Sequence, residues 1–88
     1  MLIERTLKAL ANERRLAILW HLQTNELTVI DIAERIKLSF RSTSKHLRIL
    51  SNADVVRRRQ KSRNVYYRLS VRPHPIVLIT TSFAHSCE

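Results

Sequence analysis

Apolar side chains recur at helical intervals through the first half of the chain and then change rhythm. Ile3, Leu7 and Leu10 stand at i, i+4 and i+7 with Leu2 beside them, which predicts an amphipathic helix over residues 2–11. Asn12 is placed to cap a second helix, since its side-chain oxygen accepts from orphan backbone N–H groups. In that helix, over about residues 13–23, Leu16, Ile18, Leu19, Trp20 and Leu22 cover most of the circumference. Only Arg14, Ala17 and His21 share a polar side, as expected of a buried central helix. Gln23 to Glu26 form a polar connection. Thr28 with Asp31 three residues on gives a capping-box-like start, and Val29, Ile32, Ala33 and Ile36 continue it as a short third helix. Lys37-Leu38 turns the chain, Ser39 offers another N-cap, and a fourth helix runs from Phe40 to about Asn52.

The fourth helix has two unlike faces. At about 100° per residue, Thr43, Leu47, Leu50 and Phe40 fall on one side, while Ser44, Arg48, Arg41, Asn52 and Lys45 occupy an arc opposite. One face packs; the other presents cations, hydroxyls and an amide, groups that bond phosphates and base edges. After Asn52 the texture changes to Val55-Val56-Arg57-Arg58-Arg59, a polar tip Gln60-Lys61-Ser62-Arg63, and Asn64-Val65-Tyr66-Tyr67-Arg68-Leu69. β-Branched and aromatic residues on both sides of a four-residue polar turn predict an antiparallel hairpin, with Val65, Tyr67 and Leu69 on one face and Tyr66 and Arg68 on the other. Helix, turn, helix, then a ribbon with a cationic tip is a winged helix-turn-helix layout. Beyond Pro75, Ile76, Ile79, Thr80 and Phe83 follow helical spacing and predict a short final helix. The expected fold is thus mainly α with a small β-hairpin, in the order α-α-α-α-β-β-α. Residues 1–72 form the winged domain and residues 73–88 a C-terminal helical tail.

Composition narrows this further. With 88 residues the chain forms one small domain, and such a domain buries only about 60% of the surface its unfolded chain exposes. Leu2, Ile3 and Leu7, with Ile76, Ile79 and Phe83 of the tail, are the apolar stripes left over after the winged core is assembled. A homodimer using them is expected, the alternative being a tail folded back on its own domain. One cysteine excludes an internal disulfide framework and fits a reducing compartment. The opening Met1-Leu2-Ile3-Glu4-Arg5 has an acid and no long apolar core, so no secretory signal is expected. The stretch from Ile76 to Ala84 is far short of the roughly twenty residues that span a bilayer. These features point to a cytoplasmic protein without a membrane partner.

Charge is the first functional clue. The formal net charge is +9, yet residues 1–40 hold six basic and five acidic side chains. Residues 41–72 hold ten basic side chains (Arg41, Lys45, Arg48, Arg57, Arg58, Arg59, Lys61, Arg63, Arg68 and Arg72) against Asp54 alone. Such a block suits a polyanion, because each cation placed on a phosphate releases condensed counterions. A solvated basic face and an anionic membrane are the alternatives that charge alone leaves open.

The motifs carry a resemblance. Leu7-Lys8-Ala9-Leu10-Ala11-Asn12-Glu13-Arg14-Arg15-Leu16-Ala17-Ile18-Leu19 resembles the opening of the ArsR/SmtB family of winged-helix repressors. Leu38-Ser39 followed by Ser44-Lys45-His46-Leu47-Arg48-Ile49-Leu50 resembles that family's recognition helix, and Val56 through Tyr67-Arg68-Leu69 its wing. The resemblance spans about residues 7–69. It implies a dimeric transcriptional repressor that binds operator DNA and is released by a metal ion or another small signal. Position by position it assigns DNA contact to Ser39, Phe40, Arg41, Ser42, Ser44, Lys45 and Arg48 in the helix, and to Arg59, Lys61, Ser62 and Arg63 in the wing. Two departures stand out, Asp54 where the family commonly has Gly and Ser62 at the wing tip. Asp tolerates left-handed backbone better than most residues, so the fold is expected to survive with a less sharply turned hairpin tip. Phe40 admits two placements, wedged under the helix or against a thymine methyl. His46 is expected to hydrogen-bond near the core, and His21 to be exposed.

A sensor site is harder to find. Where the family's thiolate site has Cys-x-Cys-Asp, this chain reads Thr28-Val29-Ile30-Asp31, and Thr and Ile supply no thiolate. His74, His85, Cys87 and Glu88 do not match the spacing of the family's second site. No metal and no cofactor are therefore expected, and the effector is open. Nucleophile–base pairs, Gly-rich phosphate loops and HExxH-type motifs are missing, which argues against an enzyme. The expected function is a homodimeric, sequence-specific regulator of double-stranded DNA acting as a repressor on an inverted-repeat operator. The rivals are a non-specific architectural protein and a winged-helix protein-interaction module.

Overall fold

The computed structural model describes residues 2–70. Along them run α1 (Leu2–Leu10), α2 (Glu13–His21), β1 (Leu27–Thr28), α3 (Val29–Ile36), α4 (Phe40–Asn52), β2 (Val56–Lys61) and β3 (Asn64–Leu69). The expected final helix, with Ile76, Ile79 and Phe83, lies outside the described residues, as do His74, His85 and Cys87.

Three caps start three helices. Asn12 accepts from the backbone N–H of Arg14 at 2.9 Å and of Arg15 at 3.1 Å. Thr28 Oγ1 accepts from Asp31 N–H at 3.2 Å, and Ser39 Oγ from Ser42 N–H at 3.1 Å. Each satisfies backbone donors that the helix itself leaves unpaired. The ends are made without glycine. Lys37 after α3 and Asp54 after α4 take left-handed backbone at φ 55° and 58°, so that Leu38 N–H reaches Ala33 O and Val55 N–H reaches Leu50 O, each at 3.0 Å.

Ile18 and Leu19 of α2, Ile32 of α3, Leu47 and Leu50 of α4, and Val55 and Val56 at the start of the ribbon form the fully buried core. Ala9, Leu10, Leu22 and Leu27 close around it. The α1 stripe divides: Leu10 is buried, whereas Ile3 and Leu7 remain 47% and 45% exposed. No helix among the described residues is long and apolar enough to cross a membrane.

The sheet corrects the expected layout twice. It has three strands in the order β1-β3-β2, because Leu27 and Thr28 pair antiparallel with Tyr67 and Tyr66. The hairpin is also tighter than expected. Strand pairing runs through Lys61↔Asn64, leaving Ser62-Arg63 as a two-residue turn with Ser62 at φ 57°. Such turns need left-handed backbone to match the twist of the strands, and here a serine supplies it.

Candidate nucleic-acid interface

The orientation of α4 is set from its buried side. Thr43, Leu47 and Leu50 are each 0% exposed, which pins one face of the helix to the core. Two arginines then tie α4 to the first two helices. Arg5 Nη1 donates to the carbonyl of Asn52 at 3.4 Å, at the helix C-terminus. Arg15 donates through Nη2 to Lys8 O at 3.1 Å and through Nε to Ala9 O, capping α1, while its Nη1 lies 3.3 Å from His46 Nδ1. Burial, then Arg15, Lys45 and Arg14, pushes the His46 imidazole below its ordinary pKa. His46 therefore belongs to the support of the helix. His21 is half-buried, not exposed, and stacks edge-on against Trp20.

The opposite face of α4 borders an open groove of about 830 Å3 shared with the ribbon. Phe40, Arg41, Ser42, Ser44, Lys45 and Arg48 line it from the helix, with Ser51 and Asn52 at its far end. Arg58 and Tyr67 form the ribbon wall. None of Arg41, Lys45, Arg48 and Arg58 has a carboxylate partner among the described residues. Four cations and several hydroxyls thus face one hollow without internal neutralisation, an arrangement suited to the sugar–phosphate rail and base edges of a duplex.

The expected helix residues Arg41, Ser42, Ser44, Lys45 and Arg48 are brought together here, whereas Ser39 sits at the cap with its hydroxyl committed to Ser42 N–H. Phe40 differs from the helical-wheel expectation: it is 58% exposed and does not wedge under the helix. Lys61, Ser62 and Arg63 stand exposed at the hairpin tip.

Arg59 has a partner within the domain. Its Nε donates to Glu26 Oε2 at 3.0 Å and a second guanidinium nitrogen donates to Oε1, so its charge is matched within the domain. This hydrogen bond raises the Arg59 pKa and lowers that of Glu26. The groove residue that sequence reasoning missed is its neighbour. Side chains alternate across a strand; Arg58 pairs with Tyr67 and Arg59 with Tyr66, which puts Arg58 on the side of α4 and Arg59 on the other. The signal was present in the expected facing of Tyr67.

Among the described residues no group of three or more His, Cys, Asp or Glu is arranged to hold a metal ion. The Thr28 hydroxyl is used as the α3 cap.

Comparison with known proteins agrees with this geometry. A family model described as bacterial regulatory protein, arsR family, matches residues 12–58. The transcriptional activator HlyU of Vibrio cholerae is 45% identical over 64 residues, which are 73% of this chain and 59% of the activator's length. A solved structure of reduced HlyU from Vibrio cholerae superimposes with a TM-score of 0.81 at 36% identity, covering 98% of this chain and 87% of the other. The transcriptional repressor SmtB homolog of Synechocystis is 42% identical over 62 residues, 70% of this chain and 47% of that protein. The chain thus spans about half the length of these curated relatives. A homodimeric winged helix-turn-helix DNA-binding domain from Mycobacterium bovis superimposes with a TM-score of 0.80 at 29% identity, covering 98% of this chain and 77% of that one. Fold, motif and likeness converge, and the chain belongs to the arsR family of bacterial transcriptional regulators, built on the DNA-binding winged helix-turn-helix fold.

Proposed function

We propose that this protein is a homodimeric, sequence-specific binder of double-stranded DNA that represses transcription by covering a promoter. The observation that carries the reading is the groove between α4 and the ribbon, where Arg41, Lys45, Arg48 and Arg58 have no carboxylate partner among the described residues. Arg41 and Arg48 read base edges, with Ser39, Phe40, Ser42, Ser44 and Lys45 completing the helix contact. Arg58 holds the backbone rail beside them, and Lys61, Ser62 and Arg63 meet the neighbouring backbone. Arg59 contributes through the sheet, not through phosphate.

Exposed Ile3 and Leu7 on α1 support a two-fold contact between copies, and the tail from residue 73 onward is proposed to complete it. Homodimeric assembly of the Mycobacterium bovis relative favours the same reading. Two recognition helices would then meet successive major grooves about 34 Å apart, so the operator is an inverted repeat. Threonine and isoleucine at positions 28 and 30 speak for a regulator without the thiolate metal site at α3.

Activation is the second reading, favoured by the likeness to a protein named a transcriptional activator. Genomic fragments retained by the purified protein, followed by footprinting and transcription in vitro from the protected promoter, test both. Paired half-sites with falling transcript levels are expected; rising transcript supports activation, and no protected fragment removes the DNA reading. Light scattering of the wild type and of Leu7→Glu tests the interface, with a dimer expected for the first and a monomer for the second.

A further inference from the structure

The proposed DNA face is cationic and hydroxylated except at one place. Phe40 opens α4, the end from which a recognition helix reaches base edges, and more than half of its surface meets solvent. It lines two hollows. One is the groove already described; the other, of about 380 Å3, is bounded by Val29 and Ile30 of α3 and by Arg63 and Val65 of the ribbon. Ile30 is itself 60% exposed, so an aromatic and a branched aliphatic side chain share one apolar spot. Arg41, Lys45, Arg58 and Arg63 stand around it. That ring of like charge opposes a second copy of the same face and draws a polyanion.

We infer that Phe40 reads the C5-methyl group of a thymine, which makes one A·T pair in each half-site a requirement of the operator. The inference rests on the duplex-binding reading above. Each base pair shows hydrogen-bond donors and acceptors in the major groove, but thymine alone among the four bases adds an apolar group. A phenyl ring neither donates nor accepts a conventional hydrogen bond, so within the groove it gains most where it covers that methyl. Phe40 thereby sets which base is accepted, while the neighbouring cations set how tightly any duplex is held.

The test starts from the duplex that the wild-type protein enriches from a random library. It is resynthesised with uracil replacing single thymines, which removes the methyl and keeps the base pairing. Wild-type binding is expected to weaken about fourfold at one position per half-site, the worth of one buried methyl-sized group. Phe40→Ala binds the thymine duplex more weakly and shows no uracil penalty at that position, whereas Phe40→Leu keeps one. Because the ring is outside the core, circular dichroism of Phe40→Ala should match the wild type. Uracil without effect at every position, or an equal penalty in Phe40→Ala, overturns the thymine contact while the duplex-binding reading stands. If no duplex is enriched at all, both are overturned.

Discussion

Arg59 on the outer face of the wing is held by Glu26, 33 residues earlier, through a two-point ion pair. The pair crosses the sheet from the approach to β1, over β3, to β2, so it fastens the two-residue β1 to the hairpin. It also withdraws one arginine from the cationic block. Glu26→Gln keeps the side chain's shape and removes its charge, leaving Arg59 able to meet phosphate. Duplex affinity should rise, and the slope of log K against log salt should steepen by about one. Anisotropy titrations at several salt concentrations measure this; an unchanged slope means that Arg59, once released from Glu26, adds no phosphate contact.

The contact between Arg15 and His46 carries a pH dependence. A guanidinium only donates, so Nδ1 of His46 accepts and the neutral ring keeps its proton on Nε2. Burial first, and the neighbouring cations next, hold the folded-state pKa below the ordinary 6.5. The unfolded chain therefore binds more protons just below that pH. Stability contributed by neutral His46 is present above it, declines as pH falls through it, and levels off below the depressed folded value. Urea denaturation from about pH 7.5 to about pH 5.5 should show a falling midpoint that is flatter in His46→Gln. Parallel profiles for the two proteins would contradict this. Glu26 loses its own contribution lower, as pH falls below the carboxylate's ordinary 4.5.

Thr43 sits on the buried side of α4 at 0% exposure, and its Oγ1 has no hydrogen-bond partner among the described residues. An unsatisfied buried hydroxyl costs about 1–3 kcal/mol, and valine has nearly the same shape. Thr43→Val should raise stability by about 1 kcal/mol or more and leave duplex affinity unchanged, since the side chain faces away from the groove. A lower denaturation midpoint would show that the hydroxyl is bonded in solution.

Much of this architecture was legible in the residues, and what was not has identifiable causes. Asn12, Thr28 and Ser39 announced helix starts because a capping side chain leaves a local mark. Strand β1 left none: Leu27-Thr28 is too short for periodicity and exists through its pairing with Tyr67 and Tyr66. Ser62 hid the tight turn, since its left-handed backbone lacks the usual Gly or Asn signal. Phe40 has the angle of a core residue on the helical wheel, but the packed face of α4 ends at Thr43. In the run Arg57-Arg58-Arg59, composition gave the block of charge and strand alternation divided it between two faces. The Glu26 contact, distant in sequence, had no local signal at all.

The most direct test of the central claim is an equilibrium titration of a labelled, protein-selected duplex against a random duplex at the same salt. The wild type should prefer the selected duplex by about a thousandfold or more. Arg41→Ala and Arg48→Ala should each lose about 1–3 kcal/mol on that duplex, while Lys61→Ala and Arg63→Ala should weaken both duplexes alike. Equal affinity for the two duplexes, unmoved by all four substitutions, would contradict it.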